Sequence, residues 1–335
     1  MSDPYPKPAF KILAIDGGGI RGLYSAKMLE VFEERFDTSV AKHFDMVCGT
    51  STGGLIALAV ATRHPAKEIT SFYKKHGPKI FPALGRWVGL GKQLLGGKYS
   101  DKALREALEQ FFGNTCIGDS ECLLCVPSYS VTKARPFIFK FDHPEGNLRR
   151  DNKRRCVDVA LATSAAQTYF PMVEVDGQQL VDGGVCANNP ALVGLMEALC
   201  YFVGEDKPFG SVEILSIETV SVPVGAKHKS SLARGALQWR GELVSCFMEG
   251  QARTVDFILN GLSAYSCVPL NYCRLEKDSV SPDQASLLAL DDASPKALRL
   301  LETLGEDYAH NLAVQQNVKH FFDTERTYHT QKKGV

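Results

Sequence analysis

The sequence predicts an α/β protein whose mostly parallel sheet is covered by helices on both faces. Three observations predict it. Short apolar runs alternate with longer segments whose apolar residues recur every three or four positions. Strand-like runs end directly in glycine clusters, as at Asp16–Gly19 and Gly49–Gly53, where helical spacing then begins. No Pro/Gly/Ser-rich linker, repeat or low-complexity tract divides the 335 residues, so one domain is expected.

"FKILAID" (10–16) is a short apolar strand, and "LYSAKMLEVFEERF" (23–36) has helical spacing. "FDMVCG" (44–49) is a second strand. "TGGLIALAVATR" (52–63) is an apolar helix expected to be buried on most faces. "PAKEITSFYKKHGPKIF" (65–81) is amphipathic and has Pro65 at its start. "SDKALREALEQFFG" (100–113) is a helix with Ser100 as N-cap. "CLLCVPSYSV" (122–131) and "PFIFKFD" (136–142) are strands, and "VDVALATSAAQTYF" (157–170) is a helix. "MVEVDGQQLVDGGV" (172–185) is a hairpin turning at Asp176-Gly177. "NPALVGLMEALCYF" (189–202) is a helix capped by Asn189 with Pro190 first. "SVEILSIETV" (211–220) is a strand. Beyond it the chain is mainly helical, over 231–262 and 294–322, with a short strand at 272–276 between.

Residues 82–98 hold five glycines among Leu84, Trp87, Val88, Leu90, Leu94 and Leu95. They read either as a partly packed loop or as a greasy flap beside a lipid site. The basic run 148–155 reads as a solvated loop, with a phosphate patch as the alternative.

The 38 basic and 38 acidic residues cancel, so no global field draws the chain to DNA, RNA or anionic lipid. Any membrane contact must be local. The N-terminus lacks a secretory pattern, and no apolar run approaches the length of a membrane span. A cytoplasmic protein is expected. The ten cysteines are scattered, and the one CxxC (Cys122, Cys125) lacks a second ligand pair, so no metal is expected.

"GTSTG" places Ser51 between Gly49 and Gly53, where a strand stops and a helix starts. This is the context of a nucleophile elbow, which projects the serine oxygen at a helix N-terminus. None of the eight histidines lies in a context that suggests a base; His43 reads as a surface residue before its strand. Asp182, at a hairpin strand end before Gly183 and Gly184, is a candidate carboxylate, although Asp-Gly-Gly is also an ordinary turn. In "DGGGIRG" (16–22), Gly17, Gly18 and Gly19 offer N–H groups for an oxyanion, with Arg21 adding positive charge. The same loop is compatible with phosphate binding. It lacks a Walker lysine and the acidic ribose partner of a dinucleotide site.

In this order, "DGGGIRG" (16–22), "GTSTG" (49–53) and "DGG" (182–184) together resemble the patatin-like phospholipase family. "ATSAAQTYFP" (162–171) and "DGGVCANNP" (182–190) resemble it too. The resemblance implies a three-layer α/β/α fold with a core over about 8–222 and a helical extension over about 223–335. It implies a Ser51–Asp182 dyad without histidine, an oxyanion hole at Gly17–Gly19 with Arg21, no cofactor, and membrane glycerophospholipid as substrate. One departure is "SIETV" (216–220), where Glu218 and Val220 replace family glycines. The form of the chain also resembles patatin-like effectors of bacterial cyclic-oligonucleotide anti-phage (CBASS) systems. That implies a cyclic dinucleotide activator and action at the inner face of the cell's own membrane; the sequence does not fix whether the chain is a homo-oligomer. The competing expectation is a nucleotide-sensing signalling protein that uses the glycine loop for phosphate with little hydrolysis.

Overall fold

The computed structural model describes residues 7–83, 98–220, 242–265, 269–276 and 280–330. The greasy loop expected at 82–98, and the start of the helix expected at 231–262, therefore lie largely outside the described residues.

The eight strands form one sheet: β1 (Ala9–Ile15), β2 (Met46–Gly49), β3 (Leu123–Ser130), β4 (Arg135–Lys140), β5 (Val173–Val175), β6 (Gln178–Asp182), β7 (Ser211–Ile217) and β8 (Leu270–Leu275). The order is β5-β6-β3-β2-β1-β7-β8, and β4 pairs with β3. Pairing is parallel from β3 through β8 and antiparallel among β3, β4, β5 and β6. Covered on both faces, β1 is buried along six of its seven residues, which explains its unbroken apolar run.

The helices are α1 (Gly22–Phe36), α2 (Thr52–Ala61), α3 (Ala66–Ile80), α4 (Lys102–Phe112), α5 (Cys156–Thr163), α6 (Gly184–Ala187), α7 (Ala191–Tyr201), α8 (Glu242–Tyr265), α9 (Pro282–Ala285), α10 (Pro295–Leu312) and α11 (Gln316–Lys319). Both α2 and α7 pack on β1 and β2, from opposite faces of the sheet. The first layer is extended by α1, α3, α5 and α10. In the second, α8 packs on α6 and β8. The fold is thus three-layer α/β/α, and α2 is buried at every position, as its all-round apolar sequence requires.

The flanks of β3 explain how the chain brings Ser51 and Asp182 together. β4 fills one flank from Cys125 to Ser130. β2 takes the other flank, ascending parallel to β3 as far as Cys48 beside Cys125. β6 descends antiparallel along that same flank and ends with Asp182 beside Ser128. The ends of β2 and β6 therefore meet head-on.

Several elements end earlier than their sequence spacing suggests. The helix expected over 157–170 stops at Thr163 because Thr163 Oγ1 donates to Pro127 O and Ala165 O accepts from Asp182 N. β7 stops at Ile217, after which Glu218 and Thr219 turn toward the glycine loop. Ser100 precedes the cap position of α4, and its Oγ accepts from Lys102 N at 3.2 Å. His43 is 5% exposed rather than a surface residue, with its ring nitrogens on Thr38 Oγ1 and Thr324 O. The basic run is braced internally, since Arg150 and Arg154 both pair with Asp151.

The C-terminal segment is clamped by one carboxylate. Asp45 accepts from Lys11 N at 2.7 Å, Thr327 N at 2.9 Å and Tyr328 N at 2.7 Å, and it is fully buried. Asp45→Ala should take the acceptor from three backbone donors, of which Lys11 N is buried, and lower the unfolding free energy by about 1–3 kcal/mol. Asp45→Asn should lose less, and urea denaturation would separate the two.

Candidate active site

Ser51 sits between the end of β2 and the start of α2 with φ 55° and ψ −122°. A non-glycine residue there is strained by about 1–3 kcal/mol, and its neighbours must hold it in place. Thr163 Oγ1 accepts the Ser51 N–H at 3.0 Å, and Thr50 Oγ1 donates to Ala187 O. Gly53 allows the close crossing, because a Cβ at that position would lie 2.2 Å from Ile15 O.

The serine oxygen meets a carboxylate. Ser51 Oγ donates to Asp182 Oδ2 at 2.6 Å, and the other carboxylate oxygen, Oδ1, accepts from Gly184 N at 2.7 Å. Ser51 is 6% exposed and Asp182 4%. Burial pushes the Asp182 carboxyl up to about 6, against the lowering effect of its bonds to Ser51 and Gly184. The carboxylate is thereby a better proton acceptor than a solvated one. None of the described histidines lines the cavity that holds this pair.

That cavity is about 300 Å³ and is walled mainly by apolar side chains, including Leu55, Phe72, Tyr73, Phe170 and Met248. Helix α8 supplies Val244, Phe247 and Met248, a contribution for which the sequence carries no local signal. Such an apolar cavity, with the Ser51–Asp182 pair in its wall, suits an acyl chain.

The glycine loop departs in part from expectation. Gly17 N donates to Asn188 O at 3.1 Å, so this N–H is already used and is not open to an oxyanion. Among the described residues, Gly18 and Gly19 N–H groups meet no acceptor, and Gly19 lines the cavity. Gly19 has φ +57°, and a Cβ there would lie 2.3 Å from Leu290 O. Thr52 N–H, at the N-terminus of α2, is likewise without an acceptor among the described residues. Thr52 is held by Tyr73, whose hydroxyl meets Thr52 Oγ1 and donates to Thr52 O at 3.2 Å. Sequence reasoning missed Thr52, although the residue after an elbow nucleophile is a general place to look.

Arg21 does not face the dyad. Its Nη1 donates to Val220 O at 3.1 Å and its Nε to Gly18 O at 3.4 Å, so it braces the loop from behind. Beneath the loop, Arg274 forms a two-pronged pair with Asp16, at 2.7 Å and 3.3 Å, and donates to Ser216 Oγ at 2.9 Å. Burial alone would depress the Arg274 guanidinium; the Asp16 carboxylate reverses this and holds it well above its ordinary value. Glu218, the departure in "SIETV", lies 3.8 Å from Arg274 and 3.6 Å from Arg253 of α8. Burial raises its carboxyl to about 8, opposed by the two arginines. Thr219 Oγ1 donates to Gly17 O at 2.9 Å, so this segment still supports the loop.

Among the described residues no group of three His, Cys, Asp or Glu side chains converges as a metal site, and no helix is long and apolar enough to cross a membrane.

An elbow serine paired with a buried carboxylate, in an apolar cavity edged by unused N–H groups, is an arrangement fit for acyl transfer to and from serine. Its class follows from the comparisons. A family model described as patatin-like phospholipase matches residues 13–195, and the chain belongs to that family. It is similar to a cGAMP-activated phospholipase of Pseudomonas aeruginosa, 33% identical over 98% of this chain and 97% of that protein. A cGAMP-activated phospholipase of Escherichia coli is 31% identical over 94% and 93%. Patatin-like protein 2 of Oryza sativa subsp. indica is 30% identical over 91% and 85%. The chain is accordingly a lipid acyl hydrolase of the phospholipase type.

Two outcomes are expected of the site. If Asp182 takes the serine proton, kcat/KM on a soluble ester should fall about tenfold per unit as pH drops below about 6 and level off above it. A flat profile through that range would exclude Asp182 as the base. Gly19→Ala should lower kcat by about 10²–10³-fold if the loop N–H stabilises the oxyanion, with a smaller change in KM.

Proposed function

We propose that this chain hydrolyses fatty acyl esters of membrane glycerophospholipids through Ser51 and Asp182. The observation that carries the proposal is the 2.6 Å Ser51–Asp182 hydrogen bond in the wall of an apolar cavity. Ser51 Oγ attacks the ester carbonyl carbon while its proton passes to Asp182 Oδ2. The carbonyl oxygen becomes the oxyanion and takes hydrogen bonds from Gly18, Gly19 and Thr52 N–H, at the positive end of α2. Collapse breaks the ester C–O bond. The leaving lysophospholipid oxygen takes the proton back from Asp182. Water then gives a proton to Asp182 and attacks the acyl-serine, releasing the fatty acid and restoring Ser51. Asp182 must stay ionised to begin the cycle, which its environment allows at neutral pH.

Activation by a cyclic dinucleotide is the second part of this reading. It is supported by the near-full-length similarity to bacterial relatives that carry cGAMP activation in their names, those of Pseudomonas aeruginosa and Escherichia coli among them. The activated enzyme would degrade the inner membrane in anti-phage defence, working from the cytoplasm. Phosphate binding by the glycine loop fits less well, because Arg21 already gives hydrogen bonds to Gly18 O and Val220 O.

A vesicle assay tests both parts. With cyclic GMP–AMP present the wild-type chain should release fatty acid, and Ser51→Ala should release none above background. A fluorophosphonate should label Ser51 only in the active state. Undiminished hydrolysis by Ser51→Ala would remove Ser51 from the mechanism, and equal rates with and without the nucleotide would remove the activator.

A further inference from the structure

One face of α8 is exposed, apolar and uncharged. Leu243 is 41% exposed, Phe247 63%, Phe257 79% and Ile258 37%. At about 100° per residue these four fall within an arc of roughly 100°, together with Gly250, Thr254 and Gly261. No charged residue lies in that arc. Glu249, Arg253 and Asp256 project to other sides of the helix, and Arg253 pairs with Glu276 and Glu249. The opposite face of α8 is buried through Ala252, Val255 and Leu259. From Leu243 to Gly261 the stripe runs about 27 Å. Among the described residues, nothing lies within 4 Å of where a Cβ would stand at Gly250 or Gly261.

The stripe is continuous with the active-site cavity. Phe247 lines that cavity and is exposed; so is Val185, at 45%. These two side chains therefore form part of its mouth. Two exposed phenylalanines on one uncharged helical stripe that adjoins the cavity mouth mark a contact surface. A second copy of the chain seated here would cover Phe247 and Val185 and close the mouth. A bilayer seated here would bring the acyl chains to it.

We propose that this face of α8 is the surface on which the protein lies against a phospholipid bilayer, with the cavity mouth at the headgroup boundary. The inference rests on the phospholipase reading above and adds the docking surface. Phe247, Phe257 and Leu243 enter the interfacial layer, as on helices that lie in the membrane plane. Because the stripe carries no charge, docking depends on apolar contact and is insensitive to salt.

The test uses the full chain with cyclic GMP–AMP present throughout. Ser51→Ala protein is floated with vesicles of phosphatidylcholine and phosphatidylethanolamine. It should co-float equally from about 0.05 to 0.5 M salt. Leu243→Asp/Phe257→Asp in that background should reduce the bound fraction by about tenfold or more, and Phe257→Trp should retain it. With Ser51 intact, the double variant should cleave vesicle lipid about tenfold more slowly while cleaving a soluble short-chain ester at the parental rate, since neither residue lines the cavity. Undiminished flotation and vesicle hydrolysis by the double variant would overturn the proposal. So would conversion of a dimer to a monomer by these substitutions without loss of flotation, which would make the stripe a protein interface. A parent chain that cleaves neither vesicle lipid nor the soluble ester would instead sink the phospholipase reading, and flotation would still decide the docking surface.

Discussion

β3 offers a single flank to two strands. With β4 along its other side, β2 and β6 must share the remaining edge, one climbing and one descending. Their ends cannot pass, so Ser51 and Asp182, 131 residues apart in the chain, are brought face to face. Register matters as much as proximity. The β5–β6 turn at Asp176 and Gly177, both at positive φ, fixes which face of β6 each side chain takes. A slip by one residue would send Asp182 to the other side of the sheet.

Two buried aspartates at neighbouring strand ends show how partner choice sets role. Asp16 is matched by Arg274, and the pair ties β1 to β8 beneath the glycine loop. Among the described residues, Asp182 has no cation beside it. Its partners are a hydroxyl and a backbone N–H, so desolvation dominates and its proton affinity rises. The first carboxylate serves architecture, while the second is left available for proton transfer. Glu218 stands between these cases. It is buried and only loosely approached by Arg274 and Arg253, and through Arg253 it links the glycine loop to a cavity-wall helix.

Much of this was legible in the sequence where the determinants are local. β1 and β2 announce themselves by unbroken apolar runs, and Ser51 and Asp182 by the glycines that their sharp turns need. The hairpin follows from Asp176-Gly177. What sequence spacing misread depends on distant partners. Residues 164–170 keep a helical pattern, yet Thr163 and Ala165 are held by β3 and Asp182, and the helix stops. Gly17 looks equivalent to Gly18 and Gly19 until Asn188 O takes its N–H. His43 looks like a surface residue until Phe322 and the Thr324 carbonyl cover it. Arg274 and the α8 residues of the cavity lie far downstream of the motifs, and no short-range pattern connects them.

The strained backbone of Ser51 has a consequence for the stability of the elbow. Folding alone does not favour a hydroxymethyl side chain at φ 55°; glycine would accept that conformation at little cost. The elbow is therefore maintained against the stability of its own scaffold. Replacing Ser51 with glycine would relieve that strain but would leave the buried Asp182 Oδ2 without its donor. Strain and hydrogen bonding thus pull in opposite directions at one position, and neither can be relaxed without loss of the other.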